Sequence, residues 1–62
     1  MTGLRLARKA KGLTQQHVAD ELHISREALS YYENGLRDPG VAMLVKMSRY
    51  FGVSVDELIG IK

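Results

Sequence analysis

Between Gly12 and Gly35 the chain reads GLTQQHVADELHISREALSYYENG, a stretch that accommodates two short helices joined by a tight turn and little else. Val18, Ala19 and Leu22 make one narrow apolar stripe, and Ala28, Leu29 and Tyr32 make a second. Both follow the three- to four-residue spacing of a helix. His23-Ile24-Ser25 interrupts the pattern, and Asn34-Gly35 ends it. Thr14 and Ser25 stand where a hydroxyl meets the unpaired N–H groups of a helical first turn. Gly12 stands where positive φ closes the preceding helix. What the apolar stripes leave over on the second helix is polar, and a small core offers it nothing to bind.

The flanks read as helical support for that second helix. From Gly3 to Lys11, Leu4, Ala7, the stem of Lys11 and then Leu13 form the inner side, with Arg5 and Lys9 opposite. After a loop around Asp38-Pro39, with Gly40 or Asp38 as cap, a fourth helix from Val41 to Phe51 turns Leu44, Met47, Ser48 and Phe51 inward. Gly52 closes it and Val53 plugs the corner. Ser54-Val55-Asp56-Glu57 has the form of a capping box, in which Ser54 and Glu57 each satisfy the other's backbone N–H. A short fifth helix then runs through Leu58 and Ile59. No segment alternates as a strand would. The expectation is an all-α, compact five-helix fold in one domain over 1–62, without repeats or linkers.

Composition narrows the setting. Sixty-two residues lie near the lower limit for burying a useful core, and the absence of cysteine removes disulfides and thiolate metal sites. No apolar run approaches the ~20 residues that span a bilayer. A small cytoplasmic domain is expected. The net charge of +2 matters less than its distribution. Residues 1–13 carry Arg5, Arg8, Lys9 and Lys11 with no acid, whereas 14–34 set Arg26 against Asp20, Glu21, Glu27 and Glu33. A basic N-terminal segment suits an anionic partner, although a solvated helix face explains it equally well.

Catalytic and metal chemistry find little purchase. His17 and His23 are six residues apart across a helix end, which is not the i, i+4 spacing of a helical metal pair. The capping box accounts for Asp56-Glu57, and there is no glycine-rich phosphate loop. Neither an enzyme nor a cofactor or metal site is expected.

Specific spacings accumulate in the two-helix stretch. Ala19 falls where the helices cross and only a small side chain fits; Ile24 and Leu29 plug the angle. Gly12-Leu13-Thr14-Gln15, Val18-Ala19, Leu22, Ile24-Ser25, Leu29-Ser30, Tyr32-Glu33-Asn34-Gly35 and Pro39 resemble the phage repressor/Cro-like (Xre-type) helix-turn-helix family. Leu44-Val45-Lys46-Met47, Phe51-Gly52-Val53-Ser54 and Asp56-Glu57-Leu58 extend the resemblance over residues 4–58, with the motif itself at 15–34. Two positions depart from the family pattern. His23 stands where glycine is usual, and histidine tolerates left-handed backbone better than most residues. Ala7 replaces a larger apolar residue, which alters how the first helix packs.

The resemblance implies sequence-specific binding to double-stranded DNA, with the second motif helix in the major groove, by a transcriptional regulator that is most simply a repressor. Arg26, Glu27, Ser30 and Tyr31 are then the base-contacting candidates. Arg26 would pair with guanine O6 and N7, Glu27 would accept from cytosine N4, and Tyr31 would pack on a thymine methyl or donate to a phosphate. Ser30 is short enough to allow close approach. Gln15, Gln16, Ser25, Asn34 and Arg37, with Lys46 as a further candidate, are expected at the DNA backbone. Arg8 and Glu33 are implied to form a structural salt bridge between the first and third helices, outside the DNA contacts.

Tyr50, Val55, Ile59 and Ile61 exceed what a short closing helix must bury. They suggest a homodimer on a near-palindromic operator, or merely extra core. Two rivals stand beside this reading. One keeps the fold as a protein-interaction module, an antitoxin or anti-repressor, for which the net-negative motif segment speaks. The other, a structural bundle alone, leaves the polar face unexplained.

Overall fold

Turn chemistry decides where each helix begins and ends. The computed structural model describes residues 1–60 and contains α1 (Thr2–Ala10), α2 (Gln15–Leu22), α3 (Arg26–Glu33), α4 (Val41–Phe51) and α5 (Val55–Ile59), with no strand among the described residues. None of these helices is long and apolar enough to cross a membrane. Ile61, one of the four residues suggested above as a dimer surface, lies outside the described residues.

Three hydroxyls start helices. Thr14 Oγ1 accepts from His17 N–H at 3.0 Å, and Ser25 Oγ accepts from Ala28 N–H at 3.0 Å. Ser54 Oγ accepts from Glu57 N–H at 3.1 Å. The expected capping box at 54–57 forms only half of its pattern. The Glu57 carboxylate takes the Ser54 hydroxyl proton, with 3.4 Å between the oxygens, so the side chains bond each other where a bond to the Ser54 N–H was expected. Helix α1 also ends one residue earlier than its apolar pattern suggested. Lys11 is the exposed C-cap, and its stem contributes nothing to the core.

The core is one cluster drawn from all five helices. Leu4 of α1, Val18, Ala19 and Leu22 of α2, Leu29 of α3, Met47 and Phe51 of α4, and Leu58 of α5 are buried together. Leu13, Ile24, Tyr32, Tyr50 and Val53 pack partly buried around it. Tyr50 meets Phe51 edge to face, ring centroids 4.9 Å apart. Ala7 is also at the rim, but its missing volume is not recovered. An open, largely apolar groove of about 570 Å³ runs between α1 and α5, lined by Ala7 with Gly3, Leu6 and Val53.

The turn between α2 and α3 bears directly on function, because it sets the angle at which α3 projects. His23 takes φ 60° and ψ 42°, the left-handed geometry expected at this position. Its N–H bonds Asp20 O at 3.2 Å while Ile24 N–H reaches Ala19 O at 3.0 Å, a Schellman closure that satisfies the last α2 carbonyls. Lys46 adds a tether from α4, its Nζ donating to Leu22 O at 2.8 Å. Its ammonium is therefore held at the end of α2, with two N–H donors left beyond that bond.

Gly3 was not singled out by any sequence pattern. A Cβ built there would lie 1.6 Å from the Glu57 carbonyl oxygen, so α1 and α5 touch backbone to backbone. Glycine-to-alanine substitution within a helix ordinarily stabilises by up to ~1 kcal/mol. Here the sign reverses: Gly3→Ala is expected to cost about 1–3 kcal/mol through overpacking. Thermal melts followed by circular dichroism check this, a melting temperature at or above that of the unsubstituted chain being the contrary result. His23→Gly relieves left-handed strain and is expected to raise stability by up to about 1 kcal/mol in urea denaturation.

Candidate nucleic-acid interface

The second motif helix presents two chemically distinct sides. Leu29 and Glu33 are buried, whereas Arg26, Glu27, Tyr31 and Asn34 are exposed and Ser30 is half-buried among them. Positions 26, 27, 30, 31 and 34 recur at helical spacing, so they form one stripe along α3. The four residues suggested as base readers thus share a face. Glu27 also lies in the first turn of α3, where the helix dipole favours an acid.

What holds that stripe outward is a charge buried beneath it. The Glu33 side chain is 0% exposed, and Arg8 of α1, 12% exposed, pairs with it. Arg8 Nε donates to Glu33 Oε2 at 2.7 Å and Nη2 donates to Oε1 at 3.1 Å, a two-pronged contact. Nη1 of the same guanidinium donates to Leu13 O at 2.9 Å, within the α1–α2 connection. Gln15 Nε2 also donates to Glu33 Oε1 at 3.1 Å. One carboxylate therefore ties α1, α2 and α3 together. Burial alone would raise the Glu33 pKa. Hydrogen bonds from Arg8 and Gln15, and the charges of Arg8 and Arg5, outweigh it and hold the carboxyl below its ordinary value. The hydrogen bond to Glu33 outweighs desolvation at Arg8 too and raises its pKa.

The residues suggested for DNA-backbone contact fall into different local settings. Gln15 has one amide hydrogen engaged with Glu33, which orients the group at the N-terminus of α2. Gln16 instead donates to Asp20 at 2.8 Å along the outer face of α2. Ser25 is the α3 cap. Asn34, which caps the C-terminal end of α3, donates from Nδ2 to Ser30 Oγ at 3.3 Å and accepts at Oδ1 from Arg5. Arg37 lies with its guanidinium carbon 5.2 Å from the Tyr31 ring centroid, in cation–π range.

This geometry revises the charge argument. Of the basic N-terminal group, Arg8 is consumed by Glu33, and Arg5 lies 3.7 Å from the same carboxylate while bonding Asn34. Lys9 and Lys11 remain exposed. In return, Glu33 is neutralised inside the fold, so the motif presents less negative charge than its sequence count suggests. Asp20 and Glu21 lie on α2, bonded by Gln16 and 3.6 Å from His17 respectively. Among the described residues, no three His, Cys, Asp or Glu side chains cluster as metal ligands would.

The C-terminal apolar residues also sort differently from the sequence reading. Tyr50 and Val55 are half-buried in the domain's own packing, while Ile59 is 38% exposed. Val41 and Val45, one turn apart on α4, and Leu36 in the α3–α4 loop are exposed apolar residues that periodicity did not identify. Their exposure depends on how α4 is rolled against the core, which a single helical stripe does not define.

Two packed helices, α2 and α3, a turn in which His23 is left-handed and an exposed polar side on the second helix define a helix-turn-helix domain. A family model described as helix-turn-helix matches residues 4–58, and the chain belongs to that family, in its phage repressor/Cro-like (Xre-type) form. The HTH-type transcriptional regulator ImmR of Bacillus subtilis is 42% identical over 57 residues, covering 92% of this chain and 45% of ImmR. The HTH-type transcriptional activator BcrR of Enterococcus faecalis is 39% identical over 56 residues, 90% of this chain and 28% of BcrR. The cryptic phage CTXphi transcriptional repressor RstR of Vibrio cholerae is 42% identical over 53 residues, 86% of this chain and 47% of RstR. The chain thus spans less than half the length of these relatives. No solved structure matches it.

Removal of the Glu33 carboxylate leaves Arg8 charged and nearly buried, so Glu33→Gln is expected to cost about 3–5 kcal/mol. A double-mutant cycle with Arg8→Met should show a coupling within about 0.5–3 kcal/mol; zero coupling contradicts the assignment. The pH dependence has a definite sign. A carboxyl held below its ordinary value of 4.5 contributes stability above that pH and loses it as pH falls through the folded value. Urea midpoints should therefore fall on acidification below pH 4.5 more steeply for the unsubstituted chain than for Glu33→Gln.

Proposed function

We propose that this chain is a sequence-specific, double-stranded DNA-binding domain of a transcriptional regulator, in one domain over 1–62 built on the motif at 15–34. The observation that carries the proposal is the two-sided α3, whose inner side is locked by Leu29 and Glu33 while Arg26, Glu27, Ser30 and Tyr31 face outward. Placed in a major groove, that stripe offers a guanidinium, a carboxylate, a hydroxyl and a phenol to base edges. Gln15, Gln16, Ser25, Asn34 and Arg37 surround it as phosphate contacts that set register. Gln15 and Asn34 each keep one amide hydrogen beyond the intramolecular bond donated by that nitrogen, and Ser25 keeps its hydroxyl proton.

Regulation is by occupancy, most simply repression, carried out in the cytoplasm without catalysis or a cofactor. Relatives named as an activator and as a repressor both support a role in transcription. A homodimer on a near-palindromic operator accompanies this reading, supported by the exposed Ile59, Val41 and Val45. The alternative, a protein-interaction module such as an antitoxin or anti-repressor, drew on the net-negative motif. Internal neutralisation of Glu33 by Arg8 weakens that support.

Selection from a random duplex library at two salt concentrations tests the proposal. An enriched site and affinity that falls as salt rises are expected. Retained binding to a protein partner with no enriched duplex would favour the interaction module. Arg26→Ala should relax preference at one base pair and cost about 1–3 kcal/mol, whereas Arg37→Gln should weaken all sites together. Light scattering on and off DNA tests the dimer, a monomer in both states being the contrary result.

A further inference from the structure

We infer that Arg5, which lies outside the motif, holds Asn34 so that the hydroxyl proton of Ser30 stays free to be donated to DNA. The inference rests on the proposal above that Ser30 faces bases. It begins with an asymmetry of side-chain chemistry. Arginine offers N–H donors and no acceptor, whereas an amide has one acceptor side and one donor side. Arg5 Nη2 donates to Asn34 Oδ1, and Arg5 Nε lies 3.7 Å from the buried Glu33 carboxylate. The guanidinium is thus bracketed between a fixed charge and the amide. Its presence allows only one orientation of Asn34, with oxygen toward α1 and nitrogen toward α3.

That orientation propagates one residue further. Asn34 Nδ2 donates to Ser30 Oγ at 3.3 Å. Serine has one proton to give and two lone pairs to offer. One lone pair is taken by Asn34, which leaves the proton and the second lone pair for a partner across the interface. On major-groove edges the matching acceptors are guanine O6 and N7, adenine N7 and thymine O4; cytosine offers only its N4 donor. The free proton lets the Ser30 position pair with these acceptors, and Arg5 acts as a positioning residue for that donor without touching a base.

The donor can be removed by one substitution. Asn34→Asp supplies a group that only accepts, satisfying Arg5 on one side and taking the Ser30 proton on the other. Ser30 would then present only lone pairs, favouring cytosine N4 over guanine. The added charge lowers affinity for all duplexes, so the readout is base preference within each selected set. Duplex selection is run on the unsubstituted chain, Ser30→Ala, Asn34→Asp, the Ser30→Ala/Asn34→Asp pair and Arg5→Met, with folding checked by thermal melts.

Ser30→Ala identifies the position concerned. There, Asn34→Asp should raise cytosine relative to guanine by roughly 2- to 10-fold, the worth of one hydrogen bond. The shift should vanish in the Ser30→Ala background. Arg5→Met releases the amide to turn its oxygen toward the Ser30 proton and should move preference at the same position toward cytosine; it decides the matter if Asn34→Asp does not fold. No shift, a shift that survives without the Ser30 hydroxyl, or unchanged preference with Ser30→Ala each overturn the inference while leaving an enriched operator intact. Failure of the unsubstituted chain to enrich any duplex is a distinguishable result that removes both the DNA-binding proposal and the inference.

Discussion

A single ionised carboxylate with no exposure to solvent, that of Glu33, is the constraint on which the rest depends. Burying such a charge is tolerated only with close partners, and the partners come from outside α3. Arg8 reaches it from α1 and Gln15 from α2, while a further donor of Arg8 holds the Leu13 carbonyl. These bonds lock three helices in one arrangement because the geometry of a two-pronged guanidinium contact admits little rotation. The apolar core supplies most of the drive to collapse, but that drive is non-directional. The polar hub excludes registers that leave Arg8 or Glu33 unmatched. Orientation of the outward polar stripe on α3 is therefore a by-product of satisfying a charge on its opposite side.

This arrangement explains why so much of the architecture was legible from the chain. Capping is local chemistry: Thr14, Ser25 and Ser54 each bond an N–H within three residues, and Gly12, Gly35 and Gly52 take positive φ where their helices end. The helix spans and most of the buried stripe followed from these and from periodicity. His23 was recognisable as the strained position because resemblance placed glycine there. The outward polar stripe of α3 emerged by subtraction, once Ala28, Leu29 and Tyr32 were assigned inward.

What was not legible depends on partners distant in sequence. Gly3 looks like an ordinary weak point in a first helical turn until the Glu57 carbonyl is brought against it. Arg5 and Asn34 read as a surface charge and a phosphate contact, yet they bond each other across 29 positions of sequence. Lys46 likewise finds a carbonyl on α2. The exposed Val41 and Val45 depend on the roll of α4. Side-chain type specifies what bond a group can make, but topology selects the recipient.

The backbone contact at Gly3 carries a consequence for the order of assembly. Helices α2 with α3, and α4 with α5, are neighbours in the chain and can pair after closing short loops. Helix α1 must instead meet Glu33 and then Glu57, near the opposite end of the described chain. Closing such a loop costs more entropy than a local hairpin, though the cost grows only as the logarithm of its length. Docking of α1 is thus the natural late event, and it brings Arg5 and Arg8 with it. Until then α3 can be formed and yet not aimed, so its outward face takes its final direction only when α1 has met α3 and α5.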